Sequence, residues 1–241
     1  MADADSLKRA VGVAAAELVD SGMRLGLGTG STVAHLLVAL SERLNGGALV
    51  DVVGVPTSLR TAREARELGI PLTSLTETPA LDLTIDGADE VDPELNLIKG
   101  LGGALLREKM VAQASERLAI MVDQSKMVAA LGTRVPLPVE VVQFGWENHG
   151  PFLNSLGADP VLRVGPDGEA TVTDNGNYIL DCHFPAGICD AESFDLAIRA
   201  RAGVVESGLF LGIATDVLVS GPAGVTTLSK GDRAVTGAHA P

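Results

Sequence analysis

The sequence lacks the features of a membrane or secreted protein. No apolar run approaches the roughly 20 residues that a membrane-spanning helix needs. The N-terminal segment MADADSLKRA is acidic and polar, whereas a signal peptide begins with basic residues and continues with an apolar stretch. These absences predict a cytoplasmic protein that does not associate with membranes.

Cysteine and histidine are too few and too scattered for a disulfide framework or a metal centre. The two cysteines, Cys182 and Cys189, lack CxxC spacing, and a chain of 241 residues does not need disulfides for stability. We therefore expect two reduced thiols. A metal site is disfavoured because no histidine falls in a ligand-spaced cluster. The histidines are His35, His149, His183 and His239.

Positive charge is scarce. The chain has 18 Lys and Arg residues against 31 Asp and Glu residues, which gives a net charge of −13 and a pI near 4.6. The resulting field repels nucleic acids and anionic membranes, so we expect neither as a partner. An anionic ligand would have to be held by local positive groups. Because 46% of the residues are hydrophobic, the chain can bury a core as one large domain or two smaller ones.

Strand-like and helix-like stretches alternate through the first half of the chain. Strands that alternate with helices predict an α/β fold with a parallel, doubly wound sheet. The expected helices cover 7–19, 33–44, 57–68 and 104–115, and the expected strands cover 23–27, 48–53, 72–75, 81–85 and 118–122.

The pattern changes after Gly132 and predicts a separate α+β module of about 70 residues. Its expected elements are an edge strand at 135–142, helices at 152–156 and 193–200, and two strands within 170–184 around the turn Asp174-Asn175-Gly176-Asn177. Apolar strands return at 204–210 and 216–219. We therefore expect a large domain over 1–133 plus 205–230, a small domain over 134–204, and a mobile tail over 231–241.

A glycine turn follows the first expected strand. The segment GLGTGST, residues 26–32, leads from this strand into a helix. Glycines let the backbone approach a phosphate closely, N–H groups of the first helical turn point at it, and Ser31 and Thr32 add hydroxyl donors. The segment differs from G-x-G-x-x-G at Ser31 and lacks the G-K-[ST] of a Walker loop. The pattern indicates a phosphate site, and a tight βα turn without a ligand is the alternative.

Carboxylates cluster after the apolar run at 81–85. Asp86-Gly87-Ala88-Asp89-Glu90 comes at the carboxyl end of this strand, where open α/β sheets bind ligands. Lys99 and a glycine cluster follow, and Glu108 is the polar exception on an apolar helix face. These groups suit proton transfer at a carbon next to a carbonyl. The alternatives are a capped turn or metal loop at DGADE, and a Glu108 that pairs with a surface cation such as Arg107 or Lys109.

Several motifs together resemble the ribose-5-phosphate isomerases of the type A family. They are GLGTGSTVAHLL, TIDGADEVDPELNLIKGLGGALLREK, VDQSKMV, PLPVEVV and TDNGNYILD, and the similarity runs from Leu7 to Lys230. The resemblance implies an isomerase that uses no metal or other cofactor and interconverts ribose 5-phosphate and ribulose 5-phosphate through a cis-enediolate, in the non-oxidative pentose phosphate pathway. It also implies a Rossmann-like domain with a smaller ferredoxin-like domain, and a homodimer or homotetramer.

The resemblance also implies the site residues. Glu108 matches the proton acceptor of the family, and Asp86, Asp89 and Lys99 complete the expected catalytic set. Leu101 stands where some members have a further glycine. The expected substrate-binding residues are Lys8, Thr29, Gly30, Ser31, Thr32, Asp86, Gly87, Ala88, Asp89, Lys99, Gly100, Leu101, Gly102 and Lys126.

Two other functions remain open from the sequence. A nicotinamide-dependent dehydrogenase would use the glycine turn and Asp51, which lies about 20 residues further on, but it would leave the later acids and Lys99 without a role. A sugar-phosphate sensor would bind its ligand without turnover. Such a regulator needs a DNA-binding module, and neither a basic region nor a helix-turn-helix pattern precedes Leu7.

Overall fold

A computed structural model describes residues 3–230 of the chain. The helices are α1 (Ala4–Ala16), α2 (Ser31–Asn45), α3 (Leu59–Glu67), α4 (Leu105–Gln113), α5 (His149–Ser155) and α6 (Ala191–Arg199). The strands are β1 (Arg24–Leu27), β2 (Val53–Pro56), β3 (Leu81–Gly87), β4 (Glu90–Val91), β5 (Leu97–Ile98), β6 (Ser115–Asp123), β7 (Leu137–Val141), β8 (Asp159–Leu162), β9 (Tyr178–His183), β10 (Val204–Ser207), β11 (Leu209–Phe210), β12 (Asp216–Gly221) and β13 (Gly224–Ser229).

The described residues divide into two units. Unit 1 contains residues 3–87, 110–126 and 212–230, and unit 2 contains residues 88–109 and 127–211. These limits differ from the domain boundaries expected from the sequence, because 88–109, 127–133 and 205–211 belong to unit 2. The mobile tail expected over 231–241 lies outside the described residues.

Unit 1 is built on a six-stranded sheet with the order β13-β12-β6-β3-β1-β2. All neighbouring strands are parallel except the final pair of β12 and β13. Leu27 pairs with Ile85, and Asp86 pairs with Ile120, so β1, β3 and β6 end at the same edge. Apolar side chains of these strands and of α2 form the core, including Leu25, Leu27, Leu36, Leu37, Ile85 and Met121. The parallel sheet predicted from the sequence is confirmed.

Unit 2 contains a four-stranded antiparallel sheet with the order β10-β7-β9-β8. Along the chain its elements run β7, α5, β8, β9, α6, β10, which is the β-α-β-β-α-β arrangement of ferredoxin-like folds. The predicted α+β module is therefore confirmed. Its core includes Val139, Leu153, Leu180, Phe194 and Ile198. A separate small sheet in this unit has the order β11-β5-β4.

Two strands expected in the first half of the chain are wrong. Only Val53 of the expected strand at 48–53 lies in β2. Asp51 has a φ of 58° and Gly47 a φ of 71°, so the backbone turns there instead of extending. The expected strand at 72–75 is reduced to one bridge between Leu72 and Gly54.

Three expectations in the second half also need correction. The strand expected at 135–142 is β7. It does not lie at an edge of its sheet, because it pairs with β9 on one side and β10 on the other. It accommodates Pro138 because β10 pairs with the residues from Val139 to Val141 and not with Pro138. The strand expected at 170–173 is absent, and β9 pairs with β8 instead. The strand β10, expected in the large domain, belongs to the sheet of unit 2.

Candidate active site

The glycine turn at residues 28–32 connects β1 to α2 in unit 1. Gly28 must be glycine, because a Cβ atom there would lie 2.1 Å from Oδ1 of Asp86. Gly30 precedes the first residue of α2 and has a φ of 131°, which side chains rarely allow. The backbone N–H groups of the first turn of α2 have no acceptors within the helix. This turn has the geometry of an anion site at a helix N-terminus.

Asp86 connects the end of β3 to the glycine turn. Its side chain is almost fully buried, at 1% exposure, and Oδ1 accepts hydrogen bonds from the N–H groups of Thr29 (3.0 Å) and Gly87 (2.7 Å). One oxygen of the carboxylate is therefore engaged in bracing the turn.

A cluster of hydroxyl groups from the segment after β2 and the first turn of α3 supports the turn. The Oγ1 atom of Thr29 lies 2.7 Å from Oγ1 of Thr57, 2.9 Å from Oγ of Ser58 and 3.0 Å from Oγ1 of Thr61. Thr61 also donates a hydrogen bond of 2.8 Å to the carbonyl of Gly28. Thr57, Ser58 and Thr61 were not among the site residues predicted from the sequence. Their signal is positional, because Thr57 directly follows β2, the strand beside β1.

Two lysines of unit 1 belong to the expected substrate-binding set. Lys8 is half-buried on α1, and its Nζ donates a hydrogen bond of 3.0 Å to Oγ of Ser31. Lys126 is half-buried in the short 3-10 helix Gln124–Lys126 that follows β6. Lys8 thus brings positive charge to the glycine turn of an otherwise acidic protein.

Glu108 and Lys99 form a buried pair in unit 2. Nζ of Lys99 lies 3.3 Å from Oε2 of Glu108, and the two residues are 3% and 4% exposed. Lys99 follows β5, and Glu108 lies in the first turn of α4. Nζ of Lys99 also lies 5.4 Å from the ring centroid of Phe210. The inward orientation of Glu108 is the one that the apolar face of the helix predicted.

The cations beside Glu108 in the sequence have other partners. Nζ of Lys109 lies 2.7 Å from Oε1 of Glu206, and Arg107 forms an ion pair of 3.8 Å with Asp174. Burial lowers the pKa of Lys109, although Glu206 favours the charged form. Glu108 is therefore not the surface-paired helix glutamate that the sequence left open.

The glycine loop after β5 is held by Asp89. Oδ2 of Asp89 accepts a hydrogen bond of 3.0 Å from the N–H of Leu101. Gly100 has a φ of 98°, and a Cβ atom there would lie 2.7 Å from Cβ of Leu105. Leu101 and Gly102 are exposed, so a leucine in place of a glycine at 101 meets no packing constraint.

Glu90, the last acid of the DGADE string, is a buried anchor. Its carboxylate accepts hydrogen bonds from the N–H groups of Gly132 (2.5 Å), Arg134 (2.6 Å) and Val135 (3.0 Å). Three backbone donors compensate a buried carboxylate well. Glu90 therefore fixes the segment before β7. Asp89, which follows Ala88 in the same string, contacts the glycine loop instead.

Other groups singled out in the sequence lie apart from these arrangements. Asp51 is exposed in the turn before β2. Cys182 is buried, which raises the pKa of its thiol, and Cys189 is exposed, both unpaired. Within residues 3–230, no three His, Cys, Asp or Glu side chains group as metal ligands. Over the same range, no helix is both long and apolar enough to cross a membrane.

A family model, relatives and solved structures all match the chain and agree on one family. The family model for ribose 5-phosphate isomerase A (phosphoriboisomerase A) matches residues 53–224. The chain is 54% identical over 229 residues to ribose-5-phosphate isomerase A of Chloroflexus aurantiacus, with 95% of each chain covered. It is similar to the solved ribose 5-phosphate isomerase from Plasmodium falciparum, with a TM-score of 0.91, 43% identity, and coverage of 93% of this chain and 98% of that one. It is also similar to a D-ribose-5-phosphate isomerase in complex with phospho-erythronic acid, with a TM-score of 0.92, 38% identity, and coverage of 95% and 100%.

Proposed function

We propose a mechanism for the reaction of this chain. The chain belongs to the ribose 5-phosphate isomerase A family and is an isomerase that interconverts ribose 5-phosphate and ribulose 5-phosphate. The observation that carries the mechanism is the buried pair of Lys99 and Glu108. A buried ion pair adds little net stability, because desolvation offsets the attraction between the charges. A base beside a cation suits a reaction that passes a proton between carbons and leaves charge on oxygen.

The substrate phosphate binds at the glycine turn. N–H groups of the first turn of α2 and the hydroxyls of Ser31 and Thr32 donate to its oxygens, with Thr29 and Gly30 shaping the turn. Lys8, already in contact with Ser31, and Lys126 supply positive charge. Local cations are needed because the chain as a whole carries a charge of −13.

Asp86 and Asp89 bind the sugar hydroxyls and open the ring. A carboxylate removes the proton from the hydroxyl on C1, the bond between C1 and the ring oxygen O4 breaks, and O4 takes up a proton. The product is an open-chain aldehyde, in which the hydrogen on C2 has become acidic. The backbone of Gly87, Ala88, Gly100, Leu101 and Gly102 contributes further polar contacts to the substrate.

Glu108 then carries the proton between the two carbons. Its carboxylate takes the proton from C2, and the electron pair of that bond forms the C1–C2 double bond while O1 becomes an oxyanion. Lys99 stabilises this cis-enediolate. The hydroxyl proton on O2 passes to O1, Glu108 returns its proton to C1, and a ketone forms at C2. The net result is the conversion of an aldose to a ketose without gain or loss of atoms.

The relative that is in complex with phospho-erythronic acid supports this scheme. The carboxylate of that compound places two oxygens side by side, much as the cis-enediolate places O1 and O2 on its two adjacent carbons, and the compound also carries a phosphate. We expect phospho-erythronic acid to inhibit this chain in competition with ribose 5-phosphate.

Isomerisation of ribose 5-phosphate in heavy water tests the mechanism. Proton transfer through Glu108 should place solvent deuterium at one position on C1 of ribulose 5-phosphate, and a chelator should leave the rate unchanged. A substrate labelled with deuterium at C2 should retain part of its label at C1. Complete retention of the C2 label, with no solvent deuterium at C1, would indicate a hydride shift and remove Glu108 as the proton carrier.

We also propose that the enzyme is a homodimer or homotetramer and works in the cytoplasm. The resemblance of the motifs to the family supports the assembly, and the two unpaired cysteines fit a reducing compartment. Light scattering should give two or four times the chain mass of 24.7 kDa, and fractionated cells should hold the enzyme in the cytosol. A monomeric mass would reject the assembly.

A further inference from the structure

The carbonyl groups of the glycine loop are held by an arginine that the mechanism does not use. Arg163 follows β8, and its Nη1 donates hydrogen bonds of 3.0 Å to the carbonyls of both Gly100 and Leu101. The same guanidinium forms a two-pronged pair with Asp181 of β9, in which Nε donates to Oδ2 at 2.9 Å and Nη2 donates to Oδ1. The Arg163 side chain is mostly buried, at 13% exposure.

These bonds determine which way the loop peptides face. In a planar trans peptide the C=O and the following N–H point in opposite directions. Because the carbonyl of Gly100 points to Arg163, the N–H of Leu101 points away from it, to Oδ2 of Asp89. Because the carbonyl of Leu101 also points to Arg163, the N–H of Gly102 points away from it as well.

We propose that Arg163 is a positioning residue of the isomerase, which orients the Gly100 and Leu101 peptides so that the N–H of Leu101 holds Asp89 while the N–H of Gly102 and the adjoining Lys99 face the substrate. The inference rests on the proposed role of this loop in substrate binding. Asp181 holds the guanidinium in place, and Asp89 holds the opposite side of the same peptide. A lysine would present one ammonium group in place of the planar fork that serves Asp181 and two carbonyls together.

A matched pair of variants tests this role. Arg163→Met removes both carbonyl contacts and the pair with Asp181. Arg24→Met is the control, because Arg24 forms the same two-pronged pair with Asp82, at 3.1 and 2.6 Å, between neighbouring strands of the other unit. Both variants lose one Arg–Asp pair, and only one of them releases the glycine loop. The measurements are kcat and KM for ribose 5-phosphate, and hydrogen exchange at the amide of Leu101.

We expect Arg163→Met to lower kcat by about tenfold to a hundredfold, since small displacements of positioned groups have effects of this size. Its KM should change less, because the phosphate is bound by the turn of unit 1. Exchange at Leu101 should quicken by about tenfold or more as the loop opens locally. Arg24→Met should leave kcat and this exchange unchanged. Arg163→Lys should show a smaller loss of kcat than Arg163→Met. If the methionine variant does not fold, the same measurements are made on the lysine variant.

Two results would overturn the proposal. One is a kcat for both Arg163 variants equal to that of Arg24→Met, and the other is unchanged exchange at Leu101 in the Arg163 variants. If the unsubstituted enzyme did not isomerise ribose 5-phosphate, the proposed function would fail by itself, and the exchange measurement would still report whether Arg163 anchors the loop.

Discussion

Lys99 and Glu108 face each other at 3.3 Å, while Lys109, the neighbour of Glu108 in the helix, pairs with Glu206 at 2.7 Å. Two consecutive helix residues of opposite charge therefore use separate counterions. Both lysines lie near the ring of Phe210, with Nζ at 5.4 and 4.9 Å from its centroid. This separation keeps Lys109 in a structural pair and leaves Lys99 as the cation for Glu108.

Glu108→Gln should lower kcat by at least about a hundredfold, because glutamine keeps the size of the side chain and removes the base. The variant should still bind phospho-erythronic acid, which calorimetry can measure. Glu116→Gln, at an exposed position on β6, is the control and should turn over normally. Near-normal turnover by Glu108→Gln would reject Glu108 as the base.

Ser31→Ala and Lys8→Met should each raise KM for ribose 5-phosphate more than they lower kcat. Hydrogen bonds to charged groups contribute about 1.5 to 3 kcal/mol, so the rise in KM should be about tenfold or more. Arg9→Met removes an exposed cation from the same helix and is the control for net charge. If phosphate affinity were unchanged in both variants, the glycine turn would be only a structural connection.

Asp86→Asn should slow the opening of the sugar ring. Asparagine retains an oxygen that can accept from Thr29 and Gly87, so the turn should persist, but the carboxylate that moves the proton is lost. Turnover should fall more with ribose 5-phosphate than with its 4-deoxy analogue, which lacks the hydroxyl that closes the ring. Equal losses with the two substrates would remove ring opening from the roles of Asp86.

His149 should make the protein less stable in acid. Its pKa is lowered from the usual 6.5, first by burial and then by the charge of Arg201. Between the folded-state pKa and 6.5 the unfolded chain binds more protons, so stability falls as the pH drops through this interval. Urea denaturation from about pH 8 to about pH 5 should show a smaller loss for His149→Gln than for the unsubstituted protein. His183→Gln, at an exposed position, is the control and should lose as much stability in acid as the unsubstituted protein. If His149→Gln lost as much stability as the unsubstituted protein, His149 would not be the source of the pH dependence.

The local pattern of the chain predicted the elements that rest on long, regular apolar stretches. The apolar run that becomes β3, the face of α2 and the burial of Glu108 all follow from periodicity, because one side of each element must be buried. The expected strand at 48–53 failed because the left-handed backbone of Asp51 overrides apolar β-branched neighbours. The expected edge position of β7 failed because a proline removes only one N–H donor: Pro138 is still in register with Asp181 of β9, and β10 pairs with the residues after it.

The chain by itself determined the family of the protein, the glycine turn and the acids at the end of β3, because these are contiguous motifs. Only the tertiary structure decided that Glu108 pairs with Lys99 and that Lys109 pairs with Glu206. It also decided that Thr57, Ser58 and Thr61 support Thr29, and that Arg163 holds the glycine loop from 62 residues away. These contacts depend on which strands and turns become neighbours. The packing of the whole chain decides which strands and turns become neighbours, and local periodicity does not predict it.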